Sequence, residues 1–398
     1  MISNTNEKNS PLEILKETPN DQKSLKIGIP KENLKKEKRL ALTPEAVDMI
    51  IDAGHQIILE EGAGKGLNYS DRVYSEAGAL IKRKEEVYQS DLIFKIAPLT
   101  IEEIHLVKNK TTVCSMLSLS QMSSEALSLM SKKQLNAIGY ELMALDNFDF
   151  PVRDSIAEIE GAASVFLAAE LLNNENKGKG VLLGGVPGIA PIEIVIIGAG
   201  VAGTVAARSA MALGAEVKVF DNDIRKLRHL QDNIGQGVFT SVFQPNVLMN
   251  AFKTADVVIG AMRYINDPVR VVISEDVIKV MKKGAVLIDL RLSQGGCFET
   301  TCFLPQDHPD TFEKYNVLHY CQSNISSRVA RTASMSLSNI FSPLITRIGE
   351  QGGMINSFKY DQILQSGLYM YSGKMVNGYV SKKFNLPCND IGLFLSAF

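Results

Sequence analysis

The sequence lacks the features that would place it in several large classes. Five cysteines in 398 residues (114, 297, 302, 321 and 388) are too few and too scattered for a disulfide framework, and no C-x-x-C pair suggests a zinc or redox site. Reduced thiols in a cytoplasmic protein are the expectation. A surplus of charge is missing too. Lys+Arg number 42 against 44 Asp+Glu, so nothing argues for nucleic acid or an anionic membrane as partner. The longest apolar region, around 180–207, is broken by Pro187, Pro191 and Glu193 and does not read as a membrane span. The first residues lack the basic-then-apolar pattern of a signal peptide. Residues 1–24, rich in Asn, Ser, Lys and Glu, read as a loosely ordered extension. No internal repeat is found. What remains is an ordinary globular composition, long enough for two or three domains with a large buried core.

From residue 25 short β-branched runs alternate with longer amphipathic stretches. Strands are expected at Leu25–Ile29, Gln56–Leu59, Asp91–Ile96, Thr112–Leu117 and Asn136–Tyr140, with helices such as Pro44–Ala53, N-capped by Thr43, and Ser123–Lys132 between them. A second series follows at Glu193–Ile197, Glu216–Phe220, Asp256–Ala261, Ala285–Leu290 and Asn316–Tyr320. Between the two lies Asp154–Asn173, a long Ala-rich helical stretch placed to connect two domains. After residue 331 the chain turns helical again and ends in a Gly-punctuated tail. The fold class is α/β, two Rossmann-like parallel-sheet domains. The division expected is an extension (1–24), a discontinuous substrate domain (25–152 plus 332–398) completed by C-terminal helices, and a nucleotide domain (153–331).

Residues 193–204, Glu-Ile-Val-Ile-Ile-Gly-Ala-Gly-Val-Ala-Gly-Thr, carry the strongest motif. Gly198, Gly200 and Gly203 fit G-x-G-x-x-G, after an apolar strand and before an Ala-rich helix. The first glycine permits the tight turn, the second lets a pyrophosphate approach the backbone, and the third lets helix and strand pack closely. The next strand ends at Asp221, 23 residues after Gly198, where a carboxylate accepts hydrogen bonds from an adenosine ribose. Its charge would repel a 2′-phosphate and so favours NAD over NADP, although Arg225, Lys226 and Arg228 follow closely. The alternative is a Rossmann-like domain that has lost its nucleotide.

With this motif placed, the chain resembles the alanine dehydrogenase family, which shares its fold with the NAD(H)-binding part of pyridine-nucleotide transhydrogenase. The likeness runs from about residue 25 to the C-terminus. It is carried by Gly28-Ile-Pro-Lys-Glu32, Arg39-Leu-Ala-Leu-Thr-Pro44, Gly54-His-Gln with the following GAGKG, Tyr140-Glu141, Gly184-Gly185-Val-Pro-Gly188, the 198–203 fingerprint, Gln294-Gly-Gly-Cys-Phe-Glu299 and Asp307-His-Pro309. The resemblance implies conversion of L-alanine, NAD and water to pyruvate, ammonia and NADH, in a homo-oligomer of hexamer type. It matches Arg39 to the family's carboxylate-binding arginine, a planar bidentate donor. Without the motif, Arg39 would read as one solvated charge among Lys35, Lys36, Glu37 and Lys38. Lys95 matches the first lysine of the Lys-x-Lys-Glu-Pro segment, with snorkelling to solvent as the alternative. The cofactor-contacting set expected is Gly198, Gly200, Val201, Ala202, Gly203, Asp221, Lys226 and Asn324.

Three departures fall on the chemistry. The segment's second lysine becomes Ala97, the catalytic histidine Ser118, and the catalytic aspartate Ser293. Amination passes through a carbinolamine and an imine, steps that need proton transfer near neutral pH, to which histidine is suited and a lone serine is not. His55, His105, His229, His308 and His319 lie off the matching position and read as structural or exposed. Glu141 and Glu158 are conceivable replacements. Arg291, two residues before Ser293, stands where the family carries small apolar residues. It suggests a larger or dicarboxylic substrate, unless it points to solvent or pairs with Asp289. Cys297 reads as a small packed residue rather than a nucleophile. An NAD(H)-binding sensor or relic is the second functional reading, and a transhydrogenase subunit the third.

Overall fold

The computed structural model describes residues 23–119, 122–145, 149–176, 178–235, 237–262, 273–292, 295–302, 310–320, 322 and 324–395. Ser293, Gln294 and the Asp307-His-Pro309 motif lie outside them.

The strands form two sheets. The first contains β1 (Lys26–Ile29), β2 (Gln56–Glu60), β3 (Leu80–Lys82), β4 (Leu92–Phe94), β5 (Thr112–Ser115) and β6 (Asn136–Gly139). The second contains β7 (Glu193–Ile197), β8 (Glu216–Phe220), β9 (Phe239–Ser241), β10 (Val257–Gly260), β11 (Ala285–Asp289), β12 (Thr311–Lys314) and β13 (Val317–Tyr320). The chain then returns to the first sheet with β14 (Leu368–Tyr371) and β15 (Lys374–Met375). Spatial order is β15-β14-β6-β5-β4-β1-β2-β3 in one sheet and β12-β13-β11-β10-β7-β8-β9 in the other. Pairing is parallel except at β12–β13, β6–β14 and β14–β15. The fold is thus α/β with two Rossmann-like sheets, as the alternation of patterns requires.

Continuous apolar strands bury both faces of each sheet. Ile27, Ile29 and Phe94 enter one core of the first sheet while Ile93 and Val113 enter the opposite one. Ile194 and Ile196 are likewise separated from Val195 and Ile197 in the second. The C-terminal helix Ala330–Glu350 sends Leu337, Phe341, Leu344, Ile345 and Ile348 into the first sheet's core, with Phe341 5.0 Å from the Phe94 ring. The connecting helix runs Pro151–Leu172, starting at a proline in its first turn. Gly161 in its middle lets the helix Val201–Ala212 approach, since a Cβ there would stand 2.3 Å from the Ala202 carbonyl oxygen.

Every strand expected from the sequence is present within two residues. The edge strands β3, β9 and β12 are additions. The tail corrects one expectation: it is not wholly helical, because Leu368–Met375 forms a hairpin that extends the first sheet beside β6. Ser372 and Gly373 both adopt positive φ (46° and 78°), the turn that closes two-residue hairpins. Thr43 occupies the N-cap position of Pro44–Asp52, but its side chain makes no cap bond. Among the described residues no helix is long and apolar enough to cross a membrane, and no group of three His, Cys, Asp or Glu side chains is placed to hold a metal.

Candidate active site

In parallel sheets, ligands bind beyond the carboxyl ends of strands where the strand order reverses. The second sheet reverses between β7 and β10. Gly198 ends β7 at φ +114°, and a Cβ there would lie 2.7 Å from the Ala261 carbonyl carbon and the Met262 nitrogen just past β10. A Cβ on Gly203 would stand 1.9 Å from the Gly198 carbonyl oxygen, so only glycine lets the helix start this close to the strand. A Cβ on Gly200, by contrast, would meet nothing within 4 Å. The turn therefore offers open space beside bare backbone and the first amides of a twelve-residue helix, the form that accepts a pyrophosphate.

At the end of β8, the buried Asp221 carboxylate accepts the Ala199 N–H and the Asp223 N–H, both at 2.9 Å, tying the end of β8 to the glycine turn. Val201 is exposed and Ala202 half-buried at the helix start. Lys226 is exposed, while Arg225 is engaged by Asp223 at 2.9–3.1 Å.

The first sheet reverses between β1 and β4, and there the site is built of buried charge. Glu32, beyond β1, accepts the N–H groups of Ile96 (2.6 Å) and Ala97 (3.3 Å) and the Lys95 ammonium (3.1 Å). Lys95, just past β4, is 5% exposed and also lies 3.6 Å from Glu103. It does not snorkel. Desolvation pushes Glu32 up to about 7, with the Lys95 charge only partly opposing it. Burial works against the Lys95 charge as well, but two carboxylates raise its pKa above the ordinary lysine value.

Arg39 is 3% exposed, so it is not a solvated charge; of its neighbours, Lys35, Lys36 and Lys38 are exposed and Glu37 is buried. Its Nε and Nη2 donate to the two Glu37 oxygens at 2.9 and 2.8 Å, and Nη1 donates to Ser326 Oγ at 3.1 Å. Desolvation opposes both charges, yet their attraction holds Arg39 above and Glu37 below its ordinary pKa. Asn324, in the left-handed region at φ 72°, donates to the same Glu37 carboxylate at 2.5 Å. Ser326 donates to Glu160 of the connecting helix at 3.2 Å. The irregular segment bearing Arg39 is held by three serines: Ser327, Ser334 and Ser338 accept the N–H groups of Lys38, Leu40 and Thr43, each at 2.9 Å.

Ser118 follows β5 with φ +40°, a conformation serine rarely adopts. Glu141 holds it there, one carboxylate oxygen accepting the Leu117 N–H (2.8 Å) and the Ser118 N–H (3.2 Å). Of the two acids considered as substitutes, Glu141 therefore lies against Ser118, whereas Glu158 is exposed on its helix. The Asp289 carboxylate accepts the Arg291 N–H (2.9 Å), the Cys297 N–H (2.6 Å) and the Thr301 hydroxyl (3.0 Å). Arg291 does not point to solvent, because its Nε and Nη1 are screened from water. Cys297 is buried, which pushes its thiol pKa up and suits packing rather than attack. His319 is core, stacked on Phe312 and pushed down to about 4 by burial; His55 is also buried, and His105 and His229 are exposed.

Sequence reasoning missed Glu37, Glu103, Glu160 and Ser326. Glu37 had a local signal, its i,i+2 spacing from Arg39, and Glu103 reaches Lys95 across the turn that follows β4. Glu160 and Ser326 meet from 166 residues apart.

A glycine-turn helix with an acid at the end of the next strand, in a chain of two mostly parallel sheets, is the architecture of the dinucleotide-binding α/β class. The chain belongs to the alanine dehydrogenase/PNT family: residues 28–160 match the model of its N-terminal domain and residues 164–378 that of its C-terminal domain. It is 34% identical over 363 residues to alanine dehydrogenase of Methanococcus maripaludis, covering 91% of this chain and 97% of that one. It is also 34% identical over 368 residues to alanine dehydrogenase 2 of Staphylococcus aureus, covering 92% and 98%. A solved L-alanine dehydrogenase superposes with TM-score 0.85 at 30% identity, over 90% of this chain and 99% of that one. A transhydrogenase from Sinorhizobium meliloti shares the fold with TM-score 0.73 at 23% identity, over 88% and 99%.

Proposed function

We propose that the chain is an NAD-dependent amino-acid dehydrogenase, interconverting an L-amino acid, NAD and water with a 2-oxo acid, ammonia and NADH. The observation that carries this reading is the intact glycine turn with Asp221 beside it, in a chain aligned almost end to end with relatives named alanine dehydrogenase. Gly198, Gly200, Val201, Ala202 and Gly203 hold the pyrophosphate through backbone N–H groups, Asp221 takes the ribose hydroxyls, and Lys226 and Asn324 complete the cofactor contacts. NAD, when bound, supplies the two-electron acceptor for the substrate's Cα hydrogen.

The chain's own residues bind and orient the acid. Arg39 directs its remaining N–H groups at the substrate carboxylate, and Glu37 and Ser326 fix the plane of its guanidinium. Lys95, charged between Glu32 and Glu103, places a positive field at the neighbouring strand end. The positions of the family's acid/base pair are Ser118 and Ser293, so proton transfer falls to bound water or to Glu141 behind Ser118. The assembly is a homo-oligomer and the compartment cytoplasmic.

The test is NADH absorbance with the full-length protein, ammonium and a panel of 2-oxo acids. Ammonium-dependent oxidation is the expected result. NADH binding without oxidation of any acid would instead support a nucleotide-sensing protein.

A further inference from the structure

The segment that follows β13 touches the Arg39 segment at three points. Ser327 Oγ accepts the Lys38 N–H at 2.9 Å, Ser326 Oγ accepts from Arg39 Nη1 at 3.1 Å, and Asn324 Nδ2 donates to Glu37 Oε2 at 2.5 Å. Because β13, β11, β10 and β7 run parallel, this segment leaves the second sheet at the same carboxyl edge as the glycine turn. A carboxylate has room for about four hydrogen bonds, and Glu37 makes four. Its Oε1 accepts the Arg39 backbone N–H and Nε, each at 2.9 Å, and its Oε2 accepts Arg39 Nη2 at 2.8 Å. Those three are local and move with Arg39 as a unit. The fourth, from Asn324, ties that buried unit to the other sheet. Asn324 is itself held in place. Its Oδ1 stands 3.1 Å from Ser326 Oγ and its carbonyl accepts the Ser327 N–H at 3.0 Å. Its φ of 72° is in the left-handed region that asparagine tolerates better than most residues.

We propose that Asn324 is a positioning residue for the substrate: by anchoring Glu37, it sets the direction in which Arg39 presents its remaining N–H groups to the substrate carboxylate. This rests on the dehydrogenase reading, in which Arg39 takes that carboxylate. Three of the five guanidinium N–H groups are spent on Glu37 and Ser326, so the substrate meets what is left. Guanidinium recognition of a carboxylate is directional, and a small rotation of the fork weakens it. The arginine on the first sheet is therefore aimed from the nucleotide-binding sheet, by a side chain the acid need not touch.

The test is calorimetric binding of pyruvate, 2-oxobutyrate and 2-oxoglutarate to the NADH-saturated full-length protein, without ammonium so that no amination occurs. The acid that binds tightest is carried through the variants. Asn324→Gly keeps the left-handed backbone and removes the amide. It should raise the Kd of the acid about tenfold, with the NADH Kd changing several-fold less. Asn324→Asp keeps the shape, but beside the Glu37 carboxylate it can donate only when protonated; Arg39 and Glu160 are the charges one contact further on. Relative to the wild type at the same pH, its Kd for the acid should fall as pH is lowered, a response absent from Asn324→Gly. With ammonium present, the loss should appear in KM rather than kcat. Wild-type affinity for the acid in Asn324→Gly, or loss of NADH affinity in equal proportion, would overturn the proposal. The expected binding pattern without ammonium-dependent turnover would support it and overturn the dehydrogenase reading alone. Failure of the wild type to bind any of the three acids would overturn both.

Discussion

The two sheets prepare their carboxyl edges by different means. Beyond β7 the site is made of backbone: glycines remove side chains, a helix start presents amides, and Asp221 ties the turn to the next strand. Beyond β1 and β4 the site is made of side-chain charge, with Arg39, Lys95, Glu32 and Glu37 all buried and paired. A backbone site serves any ligand with the same phosphates, so it tolerates little change. A site of paired side chains can be rewritten one residue at a time.

The contrast can be broken most forcefully at Arg39. Arg39→Ala leaves Glu37 buried without its main partner and should cost about 3–5 kcal/mol, measured by chemical denaturation. A cost below about 1 kcal/mol would mean that the pair is effectively solvated. Next comes Gly203→Ala, whose Cβ would collide with the Gly198 carbonyl oxygen. About 3 kcal/mol of destabilisation and loss of NADH binding are expected, since the clash is with backbone that cannot move aside. Unimpaired binding in that variant would sink the cradle.

The smallest effect lies at Glu32. Its pKa is raised in the folded state to about 7, so its contribution to stability is full below the ordinary glutamate value and is lost as pH rises through about 7. Lys95, raised as well, keeps its charge throughout that window. The wild type should therefore lose on the order of 2 kcal/mol more than Glu32→Gln on going from pH 4.5 to pH 8. Parallel curves for the two proteins would show that Glu32 is already ionised.

The same contrast explains what could be read from the sequence. The glycine turn is local, so spacing alone located Gly198, Gly203 and Asp221, and the long apolar strands were equally legible. The short edge strands β3, β9 and β12 bury too little to leave a pattern, and the Ser372-Gly373 turn was a readable hairpin signal inside a segment taken as helical. The charged edge was legible only in part. Arg39 and Lys95 stood out by motif, but Glu32 meets Lys95 from 63 residues away and Ser326 meets Arg39 from 287 residues away. No periodicity records such pairings.

The most direct measurement is a fluorescence titration of the full-length protein with NADH and, separately, NADPH. Saturable NADH binding, with NADPH at least about tenfold weaker because of the Asp221 charge, is the predicted result. Absence of saturable NADH binding, or equal affinity for the two, would contradict the claim that the backbone half of the site is intact and built for NAD.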